Sequence, residues 1–195
     1  MRYVKFVPVL IFGWFSVQPL AFAATYKVDP DHTTLSFKIR HLLSNVQGEF
    51  TQFEGALDYE PGKPELWKAQ GSVQAASINT RVAERDKHLR SKDFFDVEKY
   101  PILSFKTTRI LDASAEHAKA EGLMTIHGVE KPVIFDVDIH GVAKDPWGNV
   151  RSAFTATTKL NRKDFGLNWN QALETGGFLV GDEVTVTIEL EGIAA

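Results

Sequence analysis

The feature that most constrains the fold is an alternation of apolar and polar residues that recurs along the chain with a period of two. Between residues 135 and 140, apolar side chains at the odd positions alternate with Asp136, Asp138 and His140. Because successive side chains of a β-strand point to opposite faces of the sheet, each such stretch predicts a strand with one apolar face. The same alternation occurs at residues 33–41, 103–107, 154–160 and 184–190.

Smaller features predict how these strands are connected. The apolar parity shifts after Phe50, which predicts a bulge or sharp bend near Thr51. The sequence PGKP at residues 61–64 is typical of a turn, and we place another turn at residues 128–132. Residues 71–80 are predicted to form a further strand, whose small central residues would leave room inside a sheet.

Many strands with one apolar face and little helix are compatible with a β-sandwich or with a closed barrel. The barrel is favoured, because closing a sheet removes its exposed edges and a barrel of about eight strands can hold one small ligand. The sequence therefore predicts an all-β fold, an antiparallel β-barrel of about eight strands with a short helical insert near residues 82–100.

The first 23 residues have the composition of a secretory signal peptide. Arg2 and Lys5 precede an apolar run, and the small-residue motif AFA follows it. The uninterrupted apolar run is shorter than the ~20 residues needed to span a bilayer. We therefore expect cleavage after Ala23, export to the periplasm, and a single mature domain over residues 24–195.

Charge and cysteine content exclude several classes of function. Loss of the two basic residues with the signal peptide takes the formal net charge from −3 to −5, and a mildly acidic surface argues against nucleic acid or an anionic membrane as the main partner. The chain has no cysteine, which rules out disulfides, thiolate catalysis and thiolate metal sites. We also predict no stable membrane insertion of the mature chain.

Residues 82–100 interrupt the strand pattern with a charged, helix-like run that ends in two adjacent phenylalanines. Phe94 and Phe95 give the turn after this run an apolar surface, and Pro101 ends it, because the residue before a proline is disfavoured in a helix. Two interpretations remain open from the residues alone. The phenylalanines plug one end of the barrel, or they form the rim or lid of an apolar cavity.

Four segments of the chain carry a resemblance to a known family. In order, they are TYKVDPDHTTLSFKIRHLLSNVQGEF (25–50), DKHLRSKDFFDVEKYPILSF (86–105), GLMTIHGVEKPV (122–133) and LNRKDFGL (160–167). Together they resemble the YceI-like family of exported polyisoprenoid-binding proteins. The resemblance implies a lipocalin-like antiparallel β-barrel whose interior holds a long isoprenoid or a similar amphiphile, such as a polyprenyl phosphate or a quinone-type lipid.

The expected function is therefore non-enzymatic: the protein sequesters or carries the amphiphile. An apolar tail gains ~0.8 kcal/mol for each buried methylene, so an apolar tunnel needs no catalytic groups to bind it. The residues expected to contact the tail are apolar and lie on inward parities or in the insert, and each can equally be an ordinary core residue. They are Phe37, Ile39, Phe50, Phe53, Leu89, Phe94, Phe95, Phe105, Ile126, Phe135, Phe154 and Phe165.

One or two polar groups near the barrel ends would hold the head of the ligand. His41 ends an inward-facing parity and is the first candidate, Arg162 is the second, and Asp93 and His88 follow from the insert. A solvated surface charge or an ion pair with a neighbouring aspartate is the alternative for the arginine. The histidines show no close pair on one strand or helix face, so we predict no metal site, no other cofactor and no catalytic residue.

Other functions remain open from the sequence. The same cavity could serve an enzyme that isomerises or cyclises a lipid, with His41 or His88 as acid or base. A barrel filled by its own side chains could instead be a ligand-free, stress-related scaffold. A cavity mouth is also an exposed apolar patch of the kind that often becomes a dimer contact, which leaves a homodimer open.

Overall fold

The structure, a computed structural model of the chain, describes residues 24–174 and 176–195, and the predicted signal peptide lies outside the described residues. The described part contains one α-helix, α1 (Ala83–Arg90), and three short 3-10 helices at Pro64–Leu66, Ala75–Ser77 and Arg162–Phe165. Its strands are β1 (Ala24–Val28), β2 (Thr34–His41), β3 (Ser44–Phe50), β4 (Phe53–Tyr59), β5 (Lys68–Gln74), β6 (Ile78–Asn79), β7 (Ile102–Leu111), β8 (His117–Ile126), β9 (Val129–Lys144), β10 (Val150–Asn161) and β11 (Val180–Ala194).

Eight strands form a closed antiparallel barrel, which confirms the predicted fold class. Their order around the barrel is β1-β4-β5-β7-β8-β9-β10-β11, and the pairing of β11 with β1 closes the ring. The closing ladder is short and joins Tyr26 to Ala194 and Val28 to Gly192. Closure leaves no edge strand in this part of the sheet.

Two pairs of strands act as long bent strands. β1 and β2 follow each other along β11, with β1 paired near Gly192 and β2 paired with residues 184–189. Only Thr51 and Gln52 separate β3 from β4, so the strand is interrupted where the apolar parity shifts. At the β2–β3 end, the outer side of β3 pairs only with the two-residue strand β6. Strands alone therefore do not complete the wall at this end.

The segment between β5 and β7 fills that part of the wall. Its first residue, Ala75, donates a backbone hydrogen bond to the carbonyl oxygen of Pro101 (2.8 Å). Arg90 of α1 donates through its guanidinium to the carbonyl oxygens of Ala76 and Ile78 (2.7 Å each). The predicted helical insert is therefore part of the barrel wall. Arg90, the last residue of α1, binds the helix to the segment that follows β5.

Residues 71–80 do not form one strand, and that prediction was wrong. β5 ends at Gln74, and the next three residues form a 3-10 turn in which Ala75 is fully buried. The small side chains of Ala75–Ser77 allow the chain to turn tightly against the core. In a strand, the same side chains would have left empty space inside the sheet. The physical reason is local: short side chains permit a tight turn as readily as a strand.

The turn predicted at residues 128–132 is shorter than expected. His127 and Gly128 both have positive φ angles (52° and 73°), and β9 begins at the next residue. Pro132 lies inside β9, opposite Leu123 of β8. It is tolerated because the pairing of β9 with β10 reaches only as far as Asp136, so this part of β9 is paired on one side.

The predicted alternation is realised in β9. Phe135 and Ile139 face the interior and are 2% and 8% exposed, whereas Asp136 and Asp138 are exposed. The buried side chains form two clusters inside the barrel, one near β1, β4 and β10 and one near β8, β9 and the 3-10 helix at Arg162–Phe165. Among the described residues, no helix is long and apolar enough to cross a membrane.

Candidate functional site

The interior of the barrel holds a cavity of about 710 Å³. Apolar side chains from the barrel strands and from α1 line it, together with Phe94 and Phe95 of the insert. The alternation predicted which strand faces point inward. These faces surround a cavity that is bordered by the two buried clusters. Its two ends differ in packing.

One end of the cavity, here called the closed end, is sealed by aromatic rings. The ring of Tyr59 lies 4.9 Å from that of Phe154, edge to face, and 4.9 Å from that of Trp67. The indole N–H of Trp67 donates to the carbonyl oxygen of Glu60 (2.6 Å), which fixes the ring. Burial raises the pKa of the phenol of Tyr26, and burial and the neighbouring Tyr26 raise that of Tyr59. This end is a packed core.

Arg151 ties three parts of the chain together at the closed end. Its guanidinium contacts Asp29 after β1 (2.7 Å), Glu191 of β11 (2.5 Å) and Asp145 in the β9–β10 loop (2.9 Å). The hydrogen bond from Arg151 lowers the pKa of Asp29 against the opposing effect of burial. Burial acts to raise the pKa of Asp145, but hydrogen bonds from Asn149 and Arg151 outweigh it and lower that pKa. The network fixes the strand ends around the closed end.

The same network contains one group of potential metal ligands. Asp29, His32 and Glu191 place ligand atoms within 4.8 Å of one another. However, Arg151 donates to both carboxylates, and Nδ1 of His32 is 2.8 Å from a carboxylate oxygen of Asp29. Since a guanidinium already supplies the positive charge, we interpret the group as an ion-pair network.

The other end, here called the mouth, is bordered by half-buried rings. His88 of α1 lies 5.1 Å from Phe94 and 4.8 Å from Trp169, measured between ring centroids. Phe94 and Trp169 are 5.2 Å apart. Nε2 of His88 is 2.9 Å from a carboxylate oxygen of Asp93, which orients the imidazole. Phe94 is 8% exposed, whereas His88 and Trp169 are half-buried, so this cluster covers the mouth without the dense packing of the closed end.

All twelve residues predicted to contact a lipid tail line the cavity. On the side near the insert, the ring of Phe50 lies between those of Phe37 (5.9 Å) and Phe95 (5.8 Å). Across the barrel, Phe105 packs edge to face on Phe135 at 5.1 Å. The structure brings these residues together around one space, and their contact with a ligand stays a prediction.

Three of the four predicted head-group residues, His41, His88 and Arg162, also line the cavity. Asp93 is exposed and lies next to the cavity through its contact with His88. His41 is the last residue of β2 and is half-buried at the mouth. Binding of a head group by any of the four stays a prediction.

Arg162 has a second role that the sequence did not reveal. It is 4% exposed, and its guanidinium donates to the carbonyl oxygens of Gly181 (2.8 Å), Leu167 and Trp169 (2.9 Å) and to Asp182 (3.3 Å). Burial lowers the pKa of Arg162, and the charge of Asp182 opposes this. The guanidinium therefore holds the segment that carries Trp169 against the start of β11.

Small residues on the inner face make room for the cavity. β4 and β5 contribute Gly55, Ala69 and Gly71, and β8 and β10 contribute Ala120 and Ala156. Larger side chains at these positions would occupy the space that the lining encloses. The cavity therefore depends on side-chain size at specific strand positions as well as on the size of the barrel.

Glycines also allow two lining rings to lie close against the wall. A Cβ atom at Gly48 would lie 2.4 Å from the ring of Phe37 on the neighbouring strand. A Cβ atom at Gly122 would lie 2.5 Å from the ring of Phe105. Because such distances are far below van der Waals contact, each ring can lie over the backbone only where the side chain is absent. The centre of the barrel is thereby left to the cavity.

Several lining residues were missed by the sequence analysis. Trp67 lines the cavity on the same inward parity as Ala69 and Gly71, and extending the alternation of β5 back by two residues would have found it. Trp169 and Leu179 also line it, but they lie in a segment without periodicity. Arg162 holds Trp169, and backbone hydrogen bonds to Leu42 and Gln171 hold Leu179, so neither position could be read from spacing.

Known proteins share this architecture. The YceI-like domain model matches residues 26–192. A UPF0312 protein of Pseudomonas putida strain W619 is 43% identical over 150 residues, which cover 75% of this chain and 78% of the relative. The solved YceI protein of Campylobacter jejuni is 32% identical with a TM-score of 0.70, covering 81% of this chain and 91% of that one. A polyisoprenoid-binding domain from Saccharophagus degradans, 15% identical with a TM-score of 0.67, shares the fold over 89% of this chain and 100% of its own. Because the family model matches residues 26–192 and the P. putida relative is 43% identical, the chain belongs to the YceI-like domain family.

Proposed function

We propose that the protein binds a long-chain amphiphile in the barrel cavity without changing it chemically, and that the ligand is an isoprenoid lipid such as a polyprenyl phosphate or a quinone-type lipid. The observation that carries the proposal is the apolar cavity of about 710 Å³, which lies within the ~300–1,000 Å³ typical of small-molecule sites. The S. degradans neighbour is described as a polyisoprenoid-binding domain, which supports this class of ligand.

The state of the lining phenylalanines supports a ligand with an apolar tail. Phe37, Phe50, Phe95 and Phe105 all line the cavity, yet the protein only half-buries them. Covering this surface with hydrocarbon gains about 25 cal/mol for each Å² removed from water. A bound tail would therefore bury the part of these four rings that the folded protein leaves accessible.

The polar groups at the mouth suit a head that stays near water. His41 and His88 line the cavity there, and Asp93 contacts His88. Arg162 already donates to three carbonyl oxygens and to Asp182, so it contributes less to the head than the sequence suggested. In this arrangement desolvation of the tail supplies the affinity, and the mouth fixes its direction.

The proposed role is storage or transport of the lipid across an aqueous compartment. The basic residues, apolar run and small-residue motif of the first 23 residues support export with cleavage and a periplasmic location. Exposing a lipid tail to water has a large cost in free energy, and an apolar cavity around the tail removes most of that exposure.

The proposal differs from that of a lipid-modifying enzyme in its expected kinetics. An enzyme that used His41 as acid or base would turn over a lipid, and His41→Ala would abolish turnover while binding remained. We expect no turnover by the unmodified protein, and the check is product analysis after incubation with a polyprenyl phosphate. Conversion that depends on His41 would replace the carrier proposal with the enzyme alternative.

A matched pair of substitutions tests the cavity as the binding site. Ala156 lines the cavity, so Ala156→Phe places a ring in the space that a tail would occupy, whereas Ala143→Phe adds the same ring at an exposed position of β9. We expect Ala156→Phe to weaken binding of a water-soluble short-chain prenyl phosphate by about tenfold or more, and Ala143→Phe to leave it unchanged. Calorimetric titration checks this, and equal affinities for both variants would contradict the proposal.

A further inference from the structure

Two turns beside the mouth expose large apolar side chains to solvent. Leu42 and Leu43 form the tip of the β2–β3 hairpin and are 43% and 93% exposed, and Phe178 in the loop before β11 is 63% exposed. The N–H of Leu42 donates to the carbonyl oxygen of Leu179 (2.8 Å), which joins the two turns. We call Leu42, Leu43 and Phe178 the apolar rim.

The fold gives no reason for leucines at the hairpin tip. Leu42 has a φ angle of 53°, in the left-handed region, where two-residue hairpin turns favour asparagine or glycine. A leucine is strained there, and its side chain gains little from packing because it remains exposed. Leu43, almost fully exposed, contributes still less to the core.

The apolar rim is continuous with the cavity. His41 precedes the hairpin tip and lines the cavity, and Leu179 and Val180 follow Phe178 and also line it. The N–H of Val180 donates to the side-chain oxygen of Asn170 (3.0 Å), next to Trp169 at the mouth. A surface that covered the rim would therefore face the entrance to the cavity.

We propose that the apolar rim docks on a phospholipid bilayer and enters its interfacial region. This inference rests on the proposed function for its purpose, because a lipid cargo has to come from a membrane. The rim consists of three side chains on two projecting turns, an apolar area on the order of a few hundred Å². A stable dimer needs about 800 Å² from each partner, whereas projecting apolar tips suit the lipid interface.

The charges around the rim fit the same partner. Nε of Arg40 donates to the carbonyl oxygen of Leu42 (3.2 Å), and Nζ of Lys163 lies 5.7 Å from the ring centroid of Phe178. Lys163 is also paired with Asp182 (2.9 Å). Both cations lie beside the rim, and Asp182 offsets the charge of Lys163. The apolar tips, and not attraction to anionic head groups, therefore supply most of the affinity.

The absence of cysteine from the sequence allows a direct test by site-specific labelling. Leu43→Cys places a single thiol on the rim, and Trp147→Cys places one on the β9–β10 loop at the closed end, where Trp147 is 81% exposed. Each variant of the mature protein is labelled with an environment-sensitive fluorophore and mixed with phosphatidylethanolamine–phosphatidylglycerol vesicles that contain no isoprenoid. We expect a blue shift and a severalfold rise in emission at position 43 only. No change at position 43, or equal changes at both positions, would overturn the proposal.

Vesicle flotation with unlabelled protein measures the same interaction. The double variant Leu43→Ser/Phe178→Ser should lose at least about tenfold in affinity for vesicles. Its melting temperature should be unchanged, because both side chains are exposed. The control, Trp147→Ser, should bind vesicles like the unsubstituted protein. A rim-dependent dimer in sedimentation without vesicle binding would overturn docking in favour of self-association. Binding of a short-chain prenyl phosphate to the unsubstituted protein is measured in parallel. If the unsubstituted protein binds no prenyl phosphate, the proposed function is contradicted, and if it binds prenyl phosphate but no vesicles, docking alone is contradicted.

Discussion

At the closed end of the barrel, Tyr59 and Phe154 are 4.9 Å apart and each is less than one-tenth exposed. At the mouth, His88 and Trp169 are equally close, 4.8 Å apart, yet both remain half-buried. The ring contacts are therefore similar at the two ends, and the difference lies in what surrounds them. The comparison indicates that the closed end contributes more to stability. The mouth is less densely packed, and this leaves access to the cavity.

The largest expected effect distinguishes the two ends by stability. Phe154→Ala at the closed end should lower the free energy of unfolding by about 3–5 kcal/mol, because it leaves a cavity in a packed cluster. Phe95→Ala near the mouth removes the same ring from a half-buried position and should cost about half as much. Denaturant unfolding checks both, and equal losses would show that the two ends are packed alike.

The next effect distinguishes them by ligand binding. Phe94→Asp places a charge among the mouth rings and should weaken binding of a prenyl phosphate by about 100-fold, because the tail would have to pass a solvated carboxylate. The barrel should remain folded, since the closed end is untouched. Titration and thermal melting are measured on the same sample. A parallel loss of binding and stability would support the plug interpretation of the insert.

The ion-pair network predicts a pH dependence confined to the closed end. The pKa values of Asp29 and Asp145 are lowered in the folded protein, so their contribution to stability is present above the usual carboxyl pKa of about 4 and is lost as the pH falls through the folded values. Arg151→Met should therefore destabilise the protein at pH 7, and the difference should shrink towards pH 3.

The control for this prediction is Arg109→Met. Arg109 also pairs with an acidic residue, Glu121 (2.7 Å), but its side chain is 62% exposed. Its removal should have little effect at any pH. Unfolding curves between pH 3 and pH 7 make the comparison, and a constant difference between Arg151→Met and the unsubstituted protein would contradict the account.

The smallest expected effect concerns the hydrogen-bonded contact between His88 and Asp93 at the mouth. The side chains of His88 and Asp93 are 39% and 56% exposed, so Asp93→Ala, which removes the carboxylate, should change the free energy of unfolding by less than about 1 kcal/mol. Removing this contact should instead loosen the imidazole beside Trp169 and speed exchange of the ligand. Stopped-flow dissociation checks the rate, and a large stability loss with unchanged exchange would assign the pair a structural role.

The barrel could be predicted from the sequence because alternation reports directly on which face of a strand is inward. The same signal found the lining phenylalanines, including Phe37, Phe105 and Phe135, although it could not distinguish a filled core from a cavity. That distinction depends on small residues such as Gly48 and Gly122, whose effect appears only when the neighbouring ring is placed. Alternation says nothing about such pairs.

The mouth was less predictable, for a physical reason. Trp169 reaches the cavity because the guanidinium of Arg162 binds the carbonyl oxygens of the segment around it, and such contacts between distant parts of the chain leave no period in the sequence. The same contacts give Arg162 a structural role that the sequence could not show, because an arginine near a barrel end is recognisable but its partners are not. Its contact with a head group stays a prediction.

The most direct test of the central claim is native mass spectrometry of residues 24–195, expressed in the periplasm of a Gram-negative host, followed by solvent extraction and identification of co-purified lipid. The account predicts a stoichiometric long-chain isoprenoid or related amphiphile, lost in Ala156→Phe and retained in Ala143→Phe. A protein that carries no lipid on purification, and still carries none after incubation with polyprenyl lipids and quinones, would contradict it.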